Sequence, residues 1–484
     1  MKISQVRKLL KNKLACDVFW DSQTIQYYSV DSSSYQILPK IVVIPNSTAD
    51  IEETLRICRK YKIPIVPRGA ASGLVGSALG SGIILDMKKF DSLKISKDFV
   101  TVGAGVTKGR LDAELKKAGM FFPPDPSVGP YCSIGGMIAN NASGSHSLKY
   151  GSVIDNIKEI SFLTVKGDLV KLPKDKKLAK RIFQIAKQIQ KNKFPNVSKN
   201  SSGYRLDKIQ SPADSHKVLV GSEGTLGVLI SAKLAIKKIP DKKKLFVLGY
   251  THTKDAIFDC RQYLRVDSSA IEFVDKSTAS KFPHRLAKDL SCLLFIEFDS
   301  KINKSSKFLK KNNHAKLVLE FDSKEDIAKW WRYRDSALFY SIKTVKKDYK
   351  VPHVIEDAVV PVDKLETLFF IIQTIDKIFK TKSIVYGHIG NGNLHVRLAA
   401  KNLKKGLIKK IARDYFSQII SHGGSISGEH GDGLARSEFV KQQYGEKNYQ
   451  LFKRVKSTLD SQNLMNPSKI ISTKSTITAN LKNY

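Results

Sequence analysis

The sequence predicts a mixed α+β fold, with α/β units in the N-terminal half and a C-terminal part of strands and helices. Three features predict it. Strand, turn and helix patterns alternate from Ile41 onward, a basic hinge covers residues 237–244, and the texture of the chain changes after it. Ile41-Val42-Val43-Ile44 reads as a β-branched strand stopped by Pro45. Ser47 and Asp50 make a capping box, and Ile51, Leu55 and Cys58 form one helical stripe before Ile63-Pro64-Ile65-Val66 extends again. A second unit follows, with a strand over residues 99–102 and a helix carrying Leu111, Leu115 and Ala118 that Gly119 closes. Residues 158–170 read as a hairpin turning at Lys166-Gly167-Asp168. Leu178, Ile182, Ile185 and Ile189 then mark an amphipathic helix with a basic outer face. Beyond the hinge come strands over residues 293–298 and 317–321 and the segment 330–338. A helix carrying Leu451, Val455 and Leu459 leads to Leu464-Met465-Asn466-Pro467 and a polar tail expected to fray.

The 484 residues suffice for two or three domains, and 42% hydrophobic with 26% charged content is the balance of a globular chain. The net charge of +37 comes from lysines spread along the length, without interleaved aromatics or a nucleic-acid motif, so specific nucleic-acid binding is not expected. Loose peripheral attraction to anionic lipid at the inner face of the membrane is compatible with that charge. Five scattered cysteines, never spaced as CxxC, support neither a disulfide framework nor a cysteine-held metal. A reducing cytoplasm fits best. Lys and Arg interrupt every apolar stretch of the first 20 residues, so no signal peptide is expected, and no apolar run approaches a membrane span.

Chemistry concentrates in a few stretches. Arg68-Gly69-Ala70-Ala71-Ser72-Gly73 directly follows a strand and is almost all small residues, which lets backbone N–H groups turn toward phosphate oxygens. Pro123-Pro124-Asp125-Pro126 is a stiff turn ahead of a second small-residue platform, Cys132 to Gly144, and Gly221-Ser222-Glu223-Gly224-Thr225-Leu226-Gly227-Val228 offers a third close approach. Such cradles suit a dinucleotide. Gly103-Ala104-Gly105-Val106-Thr107-Lys108-Gly109 imitates a nicotinamide-dinucleotide fingerprint, but the acidic residue at the right distance, Asp125, lies between prolines rather than at a strand tip. Near the C-terminal end, Gly387-His388-Ile389-Gly390-Asn391-Gly392-Asn393-Leu394-His395 and Ser427-Gly428-Glu429-His430-Gly431-Asp432-Gly433 gather three imidazoles and a carboxylate among six glycines. Such a set can bind a metal ion and still leave a base free.

In this order, over residues 38–472, these motifs and the closing Leu464-Met465-Asn466-Pro467-Ser468-Lys469-Ile470 resemble the FAD-linked dehydrogenases of 2-hydroxy acids. These are the D-lactate, glycolate and D-2-hydroxyglutarate dehydrogenases of the vanillyl-alcohol oxidase superfamily. The resemblance implies a PCMH-type FAD-binding domain of two α/β subdomains, 38–236, after a helical lead-in, 1–37. It also implies a cap with an antiparallel sheet and flanking helices, 237–445, and a C-terminal segment, 446–484, that returns to the flavin. By position, noncovalent FAD is expected on Arg68, Gly69, Ala70, Ala71, Ser72, Gly73, Asp125, Ser133, Gly136, Asn140, Ser143 and Gly144. Glu223, Leu226, Gly227, Val228 and Asn466 complete that cofactor set.

In the cap, the resemblance implies His388, His395 and Glu429 as ligands of a divalent metal, zinc favoured, with His430 as catalytic base. Arg334 is the expected partner of the substrate carboxylate, with Arg332 its rival, Asp335 a competing surface partner for either, and Lys350 a weaker candidate. The implied activity is oxidation of a small D-2-hydroxy acid, D-lactate or D-2-hydroxyglutarate ahead of glycolate. A non-redox flavoenzyme resembling an ether-lipid synthase, or a flavin-free protein binding anionic ligands, is the alternative. Bacterial relatives with a similar second histidine motif continue into a cysteine-rich iron–sulfur region that this sequence lacks. A separate electron acceptor is therefore expected: an iron–sulfur protein, electron-transfer flavoprotein, cytochrome or quinone.

Overall fold

A computed structural model describes residues 3–282, 289–401, 403–472 and 474–482. Its first sheet runs in the order Asp17–Phe19, Ile41–Ile44, Ile83–Asp86, Ile65–Arg68, with the last three strands parallel and the first antiparallel. The helix Thr48–Tyr61 starts at the Ser47 and Asp50 capping box and buries Ile51, Leu55, Ile57 and Cys58 against that sheet. The N-terminal lead-in is thus not purely helical, because Asp17–Phe19 supplies an edge strand between two helices. All five cysteines are unpaired thiols.

The second sheet is wholly antiparallel, in the order Leu93–Ile95, Phe99–Gly103, Val228–Ala235, Ile157–Leu163, Leu169–Leu172. Because the late strand Val228–Ala235 enters between two earlier ones, the loop just before it is carried onto the 132–144 platform. Gly221 and Glu223 donate backbone N–H groups to Ile138 and Ala139, each at 2.9 Å. The hairpin turns at Gly167, as its turn sequence predicts, at φ 94°. The amphipathic helix stops at Ala186, so Ile189 packs from the segment beyond it.

The cap is a six-stranded antiparallel sheet, ordered Leu317–Phe321, Lys244–Tyr250, Cys292–Phe298, Ala270–Asp275, Lys382–His388, Asn393–Ala399. Ion pairs tie it to the N-terminal half at the short helix Ser147–Tyr150. His146 reaches Asp125 through Nδ1 at 2.5 Å and Glu297 of the cap through Nε2 at 2.9 Å, while Lys149 holds Asp299 at 2.6 Å. Burial disfavours the charged His146 ring, but Glu297 and Asp125 prevail and raise it to about 10. The last long helix, Val440–Leu459, kinks at Gly445. The tail does not fray as expected over residues 474–482, where Leu481 pairs with Tyr35 and Tyr35 Oη donates to the carbonyl of Ile477. Buried Ile477 and Leu481 outweigh the tail's polar character. Among the described residues no helix is long and apolar enough to cross a membrane.

Candidate active site

The hairpin Lys382–His388 and Asn393–Ala399 aligns Tyr386 with His395 and His388 with Asn393, so Tyr386, His388, His395 and Arg397 fall on one face. Its turn needs Gly392, at φ 69°, because a Cβ there would meet the carbonyl oxygen of Val360 at 2.0 Å. Opposite, Asp357 anchors the loop that carries Glu429 and His430. Its carboxylate accepts the backbone N–H groups of Gly428, Glu429 and His430 at 2.9–3.3 Å, and the Ser427 hydroxyl at 2.8 Å. Adjacent residues can then aim different ways.

The result is a convergence. Nε2 atoms of His388, His395 and His430 stand 3.2, 3.3 and 3.6 Å from the same oxygen, Glu429 Oε1. Ligands about 2.1 Å from a tetrahedral ion are about 3.4 Å apart, so the distances of His388 and of His395 from Glu429 fit two ligands of a divalent cation. Asp357, His395, Glu429 and His430 also present donor atoms all within 4.8 Å of one another. Asp357 is spent on the loop, while Nδ1 of His430 bonds Glu356 at 2.7 Å and leaves Nε2 toward Glu429. Glu272 orients His388 through Nδ1 at 2.8 Å.

Electrostatics separates the imidazoles. Burial pushes His395 down to about 4, whereas on His430 the carboxylates of Glu356 and Asp357 overcome burial and raise it to about 9. His388 is raised by Glu272 against burial. Burial would raise Glu429, but Lys199 and His388 hold it well below the usual carboxylate range. Lys199 Nζ and Ser143 Oγ approach Glu429 Oε2 at 3.0 and 2.7 Å.

A cleft of about 380 Å³ runs from this cluster to the glycine loops, and a second hollow of about 610 Å³ adjoins it at Arg68, Gly69, Ala70 and Ser133. Two hollows meeting over small residues suit a two-ended dinucleotide. Of the cofactor residues named from the sequence, Arg68, Gly69, Ala70, Ala71, Ser72, Gly73, Ser133, Gly136, Asn140, Ser143, Glu223 and Gly227 line the cleft. Others do not. Asp125 is taken up by His146, Gly144 sits against Asp125, and Leu226 and Val228 are buried in apolar cores. Asn466 is buried, donating to the carbonyls of Ser77 and Glu223, so it ties loops together rather than facing the cleft. Arg68 donates to the carbonyls of Tyr28 and Val30 and so also fastens the lead-in.

Arg334 lines the cleft and is fully buried, with Nε and Nη2 on Glu272 Oε2 rather than on Asp335; Arg332 is exposed. Lys350 does not line the cleft, since its backbone pairs with Ala400 at the edge of the cap. The fingerprint-like glycines serve packing, as a Cβ on Gly103 or Gly105 would meet the carbonyl oxygen of Phe90 or Met87 at 2.2 or 2.4 Å. Sequence reasoning missed Lys199, Glu272, Glu356, Asp357 and Arg397. Glu356-Asp357 beside His353 was the one visible signal, a charged pair in an otherwise apolar run.

Comparison with known proteins agrees with this architecture. The family described as FAD binding domain matches residues 39–173, and FAD linked oxidases, C-terminal domain, matches residues 239–470. The chain belongs to the FAD-linked oxidases and is an FAD-linked oxidoreductase. It is 26% identical to a mitochondrial D-lactate dehydrogenase [cytochrome] of Arabidopsis thaliana, over 97% of this chain and 80% of that protein. It is also 26% identical to a D-2-hydroxyglutarate dehydrogenase of Pseudomonas putida, covering 93% of this chain but about half, 50%, of that longer relative. A solved alkyldihydroxyacetonephosphate synthase shares the fold at TM-score 0.68 and 19% identity, over 97% of this chain and 86% of that one.

Proposed function

We propose that this chain is an FAD-dependent dehydrogenase that oxidises a small D-2-hydroxy acid to the 2-oxo acid. D-lactate and D-2-hydroxyglutarate stand ahead of glycolate as substrates. The observation that carries the reading is the convergence of His388, His395 and His430 on Glu429 at the end of the cleft lined by the glycine platforms. FAD, when bound, supplies the hydride acceptor. His388, His395 and Glu429 would hold a divalent ion, zinc favoured by the donor set, whose charge would lower the pKa of the substrate hydroxyl and of nearby His430.

The protein's own groups divide the remaining work. His430 takes the hydroxyl proton at Nε2. Glu356, 2.7 Å from Nδ1, fixes the tautomer and balances the imidazolium that forms. Arg334, beside His388 at 3.4 Å, is the cation for the substrate's 1-carboxylate. Buried Lys199 keeps Glu429 ionised. Electrons then leave to a separate carrier rather than to NAD.

Anaerobic mixing of the yellow holoprotein with D- and L-2-hydroxy acids, followed at the flavin absorbance, tests the proposal. A D-acid should bleach the flavin, and NAD should not be reduced. If no 2-hydroxy acid bleaches it, a non-redox role on the fold shared with the alkyldihydroxyacetonephosphate synthase takes precedence.

A further inference from the structure

We propose that Glu223 is a positioning residue for the catalytic base: from the glycine-rich side of the cleft its carboxylate takes the backbone N–H groups of Asp432 and Gly433 and so fixes where His430 stands. The inference rests on the function proposed above, in which His430 is the base. Oε1 of Glu223 accepts from the Asp432 N–H at 2.5 Å and from the Gly433 N–H at 3.1 Å, and Oε2 accepts from the Gly433 N–H at 2.9 Å. Both oxygens are thus turned to the loop. Glu223 lines the cleft beside Gly224 and Gly227, yet its carboxylate serves the protein rather than the cofactor.

Residues 428–432 belong to no helix or strand, so side chains hold them in place of a regular ladder. Asp357 of the cap accepts the N–H groups of Gly428, Glu429 and His430, and the Ser427 hydroxyl accepts that of Gly431 at 2.9 Å. Glu223, 209 positions before Asp432, then takes the next two from across the cleft. Its own backbone is fastened twice. The Glu223 N–H donates to the carbonyl of Ala139 at 2.9 Å, and its carbonyl accepts from Asn466 Nδ2 at 2.6 Å. The loop is therefore hung between a cap carboxylate and one mounted on the 132–144 platform.

Two backbone features fit this contact. Gly431 sits at φ 87°, and a Cβ there would meet Glu223 Oε1 at 2.6 Å, so the loop closes onto the carboxylate only as glycine. Glu223 itself sits at φ 52°, a left-handed conformation that disfavours any side chain, so the backbone alone would call for glycine at that position as well. The Asp432 carboxylate turns the other way, accepting the Gly203 N–H at 2.7 Å. Without Glu223, two buried N–H groups would be left unpaired, and the loop would have to shift to satisfy them. His430 and Glu429 lie two and three residues before Asp432 on that loop, and a displacement of about 1 Å in a catalytic group costs about 100-fold in rate.

Glu223→Gln keeps the shape but puts an NH₂ group where an acceptor stood. Hydrogen exchange of the FAD-loaded protein, read at single amides by mass spectrometry, should show residues 432 and 433 exchanging about 10-fold or more faster than in the native chain. Anaerobic stopped-flow reduction, counted per FAD-loaded site, should show the limiting rate falling about 10–100-fold while half-saturation by the 2-hydroxy acid stays within about threefold. Exchange unchanged within about threefold overturns the tether. Faster exchange with a limiting rate within about threefold of native overturns the positioning role, as does a loss confined to FAD content or to half-saturation. If Glu223→Gln does not fold, Glu223→Asp, one methylene too short to reach both N–H groups, decides on the same terms. Failure of every 2-hydroxy acid to reduce the native protein would sink the proposed function and with it the role of a base to position, while the exchange rates still decide whether Glu223 holds the loop.

Discussion

Replacing His430 by Asn isolates the proton-transfer step. The backbone N–H of residue 430 keeps its 2.9 Å bond to Asp357, and Glu356 keeps Arg397 and Arg436, so the loop and its charges survive. What disappears is a basic nitrogen 3.6 Å from Glu429 Oε1. Loss of a positioned general base costs about 10²–10⁴ in rate, or about 3–5.5 kcal/mol of barrier. The sign of the pH effect follows from Glu356 and Asp357, which raise His430 to about 9 in the site without an ion. A base must be neutral to act, so flavin reduction by the native protein should climb with pH until His430 is deprotonated, and an added divalent ion should move that climb lower. Stopped-flow reduction from pH 6 to about 10 measures both. In His430→Asn the rate should be low and the climb absent, with FAD retained. A variant within about threefold of the native rate and with the same pH profile would refute the assignment of the base.

Gly136→Val should fold but lose FAD, because a Cβ there meets only Ser133 Oγ at 3.1 Å while the γ carbons enter the cleft; full occupancy by absorbance would argue against the platform. Glu429→Ala should lose bound metal and flavin reduction together, with partial recovery in excess metal, and metal analysis showing full content would count against Glu429 as a ligand. Arg334→Ala should destabilise the chain by about 3–5 kcal/mol in denaturant titration, since it strands buried Glu272, whereas exposed Arg332→Ala should stay within about 0.5 kcal/mol. His146 is raised to about 10, so its stabilisation is complete below its unfolded value of about 6.5 and lost as pH rises through 10. His146→Gln should remove about 2–4 kcal/mol of stability at pH 6 and flatten the decline toward pH 10; an unchanged slope would dismiss the ring as a latch between FAD domain and cap.

The sequence by itself determined what depends on neighbours along the chain. The Ser47–Asp50 capping box, the stripe Ile51, Leu55, Cys58 and the turn at Gly167 follow from backbone geometry and periodicity within a few residues, and each formed as read. The small-residue loops and both histidine motifs were equally visible, because glycine and histidine at that density have little use in an ordinary core. Tertiary structure decided which charges meet. Glu272, Glu356 and Lys199 lie 116, 74 and 230 positions from the side chains they bond in the site, and no local pattern selects such a partner. The same holds for Asp125, whose partner His146 no local pattern in the proline turn selects. The tail reads as a fraying end, yet Leu481 pairs with Tyr35, and Asn466 donates to the carbonyl of Ser77, 389 positions back. Pairing of buried charge is governed by three-dimensional proximity in a low-dielectric interior, where a lone ion is costly, so those partners became legible only once the sheets had been brought together.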